Sequence, residues 1–174
     1  MASTLQNVAV SDFMSFIPAL PSTSVNDRKA IYEQNRHRVY ALSFWMTDNE
    51  LEAEQMLAAT FVRAFAEGAN PSEEDIDHAF IALVREQQLI GFLTLNCKEA
   101  TETLNVRSNT KRVHLERAVV QLPATEKLIY LMHDGEAYGH ARIARTLGIS
   151  EQESKLGLHQ ARLRIRELVA KMVW

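Results

Sequence analysis

The stretch from Tyr138 to Trp174 constrains the fold more than any other part of the chain. Ala141, Ala144 and Leu147 recur at three-residue spacing, which predicts a short helix over Tyr138 to Leu147. Gly148 follows, where a helix end favours a residue that tolerates positive φ. Ser150 then offers a hydroxyl to a free amide at the next helix start. Glu153 sits three residues on and can accept from the Ser150 amide in return, which makes a capping box. Helix, short turn and capped helix together predict a helix-turn-helix.

The helix after that turn carries two stripes. Leu158, Ala161, Ile165, Leu168 and Met172 alternate spacings of three and four and form one apolar seam. Lys155, His159, Arg162 and Arg166 follow the same spacing and form a basic stripe beside it. A helix that buries one stripe and offers a cationic one suits a phosphate backbone. A solvated surface helix would carry the same stripe. The turn and capping box in front of it favour the nucleic-acid reading, because a helix start presented by such a turn is what enters a major groove. Ser150, Glu151 and Gln152 at that start, with Lys155, His159, Arg162 and Arg166, are the candidate DNA-contacting residues.

The charge is divided along the chain. Residues 1–98 hold 7 Lys and Arg against 13 Asp and Glu, a net of −6. Residues 99–174 hold 12 against 9, a net of +3. A basic half that meets nucleic acid and an acidic half that meets protein fit this division. Hydrophobic residues at 47% and charged residues at 24% are those of a globular, water-soluble chain. Cys97 is the single cysteine, so no intrachain disulfide forms and a reducing cytoplasm is expected. The N-terminal apolar residues are broken by Asp12, Pro18 and Pro21 with no Lys or Arg before Arg28, so no secretory signal or membrane segment is expected.

Taken in order, residues 1–24 read as a flexible leader with a small apolar cluster. A helix from Asn26 or Asp27 to about Met46 follows, with Tyr32, Val39, Leu42 and Met46 on one face and Arg36 and Arg38 off it. Thr47 to Asn49 is a break with capping chemistry. A second helix from Glu50 to Glu67 has Ala53, Leu57, Phe61 and Ala64 as its seam. Ser72 caps a third helix whose Glu73, Glu74, Asp75 and Asp77 suit the positive end of the helix dipole, with Ile76, Phe80, Leu83 and Val84 buried. Phe92 to Cys97 reads as a fourth short helix or a continuation of the third. Residues 98–112 are rich in Thr, Asn and charge and read as a linker. From Val113, Leu115, Ala118, Val119 and Leu122 make one helix; after Pro123, Leu128, Ile129, Leu131 and Met132 make the next, ended by Asp134-Gly135. The expected fold is all-α, with two small helical modules joined by a linker. The modules cover 25–97 and 113–174, the latter a four-helix helix-turn-helix unit.

No catalytic site is expected. The six His are scattered without metal-ligand spacing, and the six Gly are single rather than gathered in a phosphate loop. No metal, cofactor or small-molecule substrate is expected. Trp45 is expected in the first core, and Trp174 has no assigned place.

With both modules laid out, the chain resembles RNA polymerase sigma factors of the sigma-70 family, in particular the small extracytoplasmic-function type. Ala53-Glu54-Gln55-Met56-Leu57 through Thr60-Phe61-Val62-Arg63-Ala64-Phe65 carries the resemblance in the first module. Leu122-Pro123, Leu128 to Leu131, Tyr138 with Ile143-Ala144, Leu147-Gly148-Ile149-Ser150 and Ala161-Arg162 carry it in the second. The resemblance implies a region 2-like module over 25–97 that binds core polymerase and melts the downstream promoter element. It implies a region 4-like module over 113–174 that reads the upstream element. On that basis Glu50, Glu54, Gln55, Ala58 and Arg63 are the candidate polymerase-facing residues, and an anti-sigma protein is a further partner of the expected kind. The chain departs from the family at Gln55, Ala58 and Ala59 on the polymerase-facing helix. On the promoter-melting helix it has Ala79-Phe80 and Arg85 to Gln88, and on the reading helix Glu153, Ser154, Gly157 and Gln160. Three readings therefore stand: an initiation factor, a sigma-like protein-interaction module with little promoter recognition of its own, and a helix-turn-helix regulator with a helical sensor module.

Overall fold

The computed structural model describes residues 25–97 and 111–172. The expectations for the leader, for most of the linker and for Trp174 fall outside them. The described residues form seven α-helices and one π-helical turn, with no strand among them, so the fold is all-α. The helices are α1 (Val25–Thr47), α2 (Glu50–Glu67), α3 (Glu73–Gln87), α4 (Arg112–Val120), α5 (Ala124–Tyr130), α6 (His140–Leu147) and α7 (Glu151–Met172). The π turn, Leu131–Gly135, extends α5. The chain divides into two units, Met1–Leu83 and Val84–Trp174. No helix of the described residues is long and apolar enough to cross a membrane.

In the first unit, α1 and α2 are joined by Asp48 and Asn49. Asp48 takes a φ of 53°, and the Asn49 side chain accepts from the Glu52 amide at 3.1 Å, so the turn is built by the capping chemistry expected there. Tyr32, Val39, Leu42 and Met46 of α1 are buried against Ala53, Met56, Phe61, Ala64 and Phe65 of α2 and Ile76 and Phe80 of α3. The edge of the Tyr32 ring meets Phe61 with centroids 4.9 Å apart, an arrangement suited to the ring quadrupoles. Each buried Phe contributes roughly 1.5–3 kcal/mol by leaving water. The α2 seam differs by one position from expectation, since Met56 is buried and Leu57 only half-buried. Trp45 is likewise half-buried rather than a core residue.

Ser72 caps α3 as expected. Its hydroxyl accepts from the Asp75 amide at 3.2 Å, and the Asp75 carboxylate accepts from the Ser72 amide at 2.8 Å. These hydrogen bonds hold the Asp75 carboxyl below its ordinary value. Asp77 is more than a helix-start charge: it is 1% exposed and forms an ion pair with Arg38. A buried carboxylate without a cation would carry a large desolvation cost, so Arg38 is bound into the core edge rather than left off the α1 face.

The second unit holds α4 to α7 and also the residues from Val84 to Cys97. Ala118, Val119 and Leu122 are buried, as are Leu128, Ile129, Leu131 and Met132, but Leu115 is 40% exposed. Residues 92–97 are not helical: the chain bends at 92 and takes no regular secondary structure from 93 to 97. The helix ends at Gln87, and beyond it Gly91 takes a φ of +104°, one that L side chains rarely adopt. Beyond it the backbone amides bond sideways to α5 and α7 instead of along a helix axis.

Candidate nucleic-acid interface

The helix-turn-helix forms where the sequence predicts it, except that its first helix begins at His140 rather than Tyr138 and Ala141 is exposed rather than part of the seam. Gly148 ends α6 with a left-handed φ of 68° and ψ of 36°, and the Ile149 amide donates to the Ala144 carbonyl at 3.0 Å. Ser150 caps α7: the Glu153 amide donates to its hydroxyl at 3.1 Å, and its own amide donates to the Glu153 carboxylate at 2.7 Å. The capping hydrogen bonds hold the Glu153 carboxyl below its ordinary value. One α7 face is buried through Ser154, Leu158, Ala161, Ile165 and Leu168, and Met172 is half-buried at the end of the seam. Ser150, Glu151, Gln152, Lys155, His159, Arg162 and Arg166 are all exposed, so the candidate DNA-contacting residues share the open side of the helix.

They do not carry equal charge outward. Arg162 donates to both carboxylate oxygens of Asp134, at 3.0 and 2.6 Å. This bidentate pair anchors α7 to the π turn after α5. Burial pushes the Asp134 carboxyl up, but the hydrogen bonds from Arg162 and His133 outweigh it and hold the group below its ordinary value. The same pair raises the Arg162 guanidinium further. Asp134 is therefore a structural counter-ion, beyond its expected part in ending a helix. Lys155 and Arg166 are also exposed cations of the stripe, and Glu151 stands in the first turn, one turn before Lys155.

The other flank of α7 is covered by residues 85–97. Arg85 donates to the Leu147 carbonyl at 2.7 Å, placing a cation at the negative end of α6. The Gly91 amide donates to the Thr125 hydroxyl at 3.2 Å. Glu126, with no exposed surface, accepts from the backbone amides of Thr94 and Leu95, each at 2.6 Å. Gln160 closes the segment: its side-chain oxygen accepts from the Cys97 amide at 2.5 Å, and its side-chain nitrogen donates to the Cys97 carbonyl at 3.3 Å. A non-helical strap is thus held by two buried side chains that satisfy its backbone while it satisfies theirs.

Gly157 lies under this strap. A Cβ there would stand 2.5 Å from Ile129 Cδ1 and 2.8 Å from Leu93 Cδ2. Gly157 and Gln160 sit at positions that are basic or polar in the resembled family, where they read as lost DNA contacts. The structure buries both inside the unit, Gln160 at 8% exposure, where the strap explains them. Ser154, another departure, is buried and shares a hydrogen bond of 2.9 Å with the His140 ring.

Of the candidate polymerase-facing residues, Glu50, Glu54 and Gln55 are exposed in the first turns of α2 and Ala58 is half-buried. Arg63 is half-buried and faces Glu67 at 3.8 Å. Glu50 and Glu54 lie near enough to Tyr40 to add to the upward push that burial gives its hydroxyl.

Sequence reasoning passed over Glu126, Asp134 and Gln160 as site-shaping groups. Their partners are 28 to 63 residues away, too far for any spacing rule to reveal. Among the described residues no group of three or more His, Cys, Asp or Glu is placed to hold a metal ion.

A comparison with curated proteins finds no match to this chain. The segment that builds this interface, residues 112–165, matches the family model described as Sigma-70, region 4.

Proposed function

We propose that the chain is a sigma-type transcription initiation factor of the extracytoplasmic-function kind, acting in the cytoplasm without a cofactor. Its second unit contacts promoter DNA through the open side of α7, and its first unit docks on core RNA polymerase through the exposed start of α2. The observation that carries this reading is a coincidence: the segment matching region 4, residues 112–165, is the one in which a capped helix start, Ser150 to Gln152, and the stripe of Lys155, His159 and Arg162 stand exposed together, with Arg166 one residue beyond it. A helix presented in this way places its first turns against base edges and its basic side chains against phosphates. The experiment is reconstitution. Core polymerase supplied with this protein should retain it through purification and initiate at specific sites on DNA that core polymerase alone ignores.

One observation favours a second reading, a sigma-like docking module for polymerase or an anti-sigma protein with little promoter recognition of its own. Arg162 is engaged by Asp134, and Glu151 and Glu153 stand exposed in the same first turn, which leaves few net phosphate contacts. That reading predicts retention on polymerase without specific initiation. The regulator reading predicts a dimer on a palindromic site, since such proteins bind half-sites about one helical turn apart.

A further inference from the structure

His133, in the π turn after α5, and His140, the first residue of α6, stack with ring centroids 4.8 Å apart and planes inclined by 28°. Each ring is oriented by a hydrogen bond at Nδ1. His133 Nδ1 lies 2.8 Å from the Asp134 carboxylate, and His140 Nδ1 lies 2.9 Å from the hydroxyl of the buried Ser154. Both rings are half-exposed.

We propose that His133 and His140 form a proton-gated phosphate site, at which a backbone phosphate of DNA binds as His140 takes up a proton. This deepens the DNA reading of the second unit and rests on it. Three features support it. First, both protonation states of His140 are satisfied at Nδ1. The Ser154 hydroxyl accepts from Nδ1–H of the neutral ring and of the charged one alike, which leaves Nε2 of the neutral ring as the nitrogen open to a proton. Protonation therefore leaves no buried group without a partner. Second, the groups that face His140 are mostly cationic: His133, Lys155 and Arg162, opposed by Glu151. Burial first, and then these cations, disfavour a charge on the free ring and hold it below its ordinary value. The Asp134 carboxylate, which would otherwise compensate, is committed to Arg162 and His133. Third, the first helix of a helix-turn-helix crosses the DNA backbone, and His140 opens that helix. A phosphate arriving there supplies the negative charge that the cluster lacks. The proton enters at Nε2 of His140, and the N–H formed donates to a phosphate oxygen.

Linkage gives the sign. A phosphate that favours charged His140 raises the affinity of the ring for a proton, so falling pH must raise the affinity of the protein for DNA by the same coupling. Binding of the full chain to duplex DNA, in the presence of core polymerase and at fixed ionic strength, should be roughly three- to tenfold tighter at about pH 5.5 than at about pH 7.5, the effect of up to one proton taken up. His140→Asn should remove most of this pH dependence and His133→Asn part of it. His37→Asn, exposed on α1 of the first unit, should leave it in place. The thermal midpoint of each variant, read at one fixed pH, separates loss of fold from loss of the proton link. Retention that does not change with pH, or a dependence that survives His140→Asn, would overturn the proposal while leaving the DNA reading intact. No retention at any pH would sink both.

Discussion

Gly157 offers a substitution whose sign depends on the strap. In an exposed helix interior, Gly→Ala stabilises by about 1 kcal/mol through propensity alone. Here the added Cβ meets Ile129 Cδ1 at 2.5 Å and Leu93 Cδ2 at 2.8 Å. Ile129 is fully buried, so its tip has little room to withdraw. Overpacking of this kind typically costs 1–3 kcal/mol. The two effects oppose, and the steric one is the larger, so Gly157→Ala should destabilise by up to about 2 kcal/mol. For a unit of this size that lowers the thermal midpoint by roughly 4–8 °C per kcal/mol. Unfolding followed by circular dichroism reads the shift. Ile129→Val removes the nearest atom at a cost of about 0.5–1.5 kcal/mol by itself. In the double variant the losses should therefore add to less than their sum, by about 0.5–2 kcal/mol. An increase in stability of about 1 kcal/mol for Gly157→Ala, as propensity alone requires, would refute the placement of Leu93 and the strap against α7.

Other outcomes follow from the same contacts. Gln160→Leu removes both hydrogen bonds to the Cys97 backbone and should cost about 1–3 kcal/mol, with faster amide exchange at Cys97 than anywhere in α7. Ser150→Ala removes the α7 cap and should cost about 1 kcal/mol in thermal or denaturant unfolding. The carboxyl of Asp134 lies below its ordinary value near 3.8 in the folded protein. Its pair with Arg162 thus contributes stability above about pH 4 that is lost as the pH falls further. Arg162→Ala should be less stable than the parent near neutral pH by no more than about 1 kcal/mol, since the pair is partly exposed, and the two should converge on acidification.

Much of this architecture is legible in the sequence because its causes are local. The capping box at Ser150 and Glu153, the left-handed Gly148 and the three-and-four spacing of the α7 seam each involve residues within a few positions of one another. The strap is not legible in this way. Phe92 to Cys97 has neither the alternation of a strand nor the spacing of a helix strong enough to decide between them. What fixes its conformation is Glu126 and Gln160, more than 30 residues further along the chain. The same holds for the site. The stripe from Lys155 to Arg166 is visible as spacing, but spacing cannot show that Arg162 is held by Asp134 or that Gly157 and Gln160 point inward. Departures from a family pattern read as lost DNA contacts until the packing shows them as structural positions.

The central claim is that the open side of α7 meets the phosphate backbone with few cations. It is tested most directly by the salt dependence of DNA binding by the full chain with core polymerase. If Lys155, Arg166 and one further group make the α7 contacts, substituting Lys155→Ala should flatten the plot of log affinity against log salt by about one unit, and Arg166→Ala by a further unit. Slopes that stay unchanged in both variants would contradict the account, because the stripe would then lie away from the DNA.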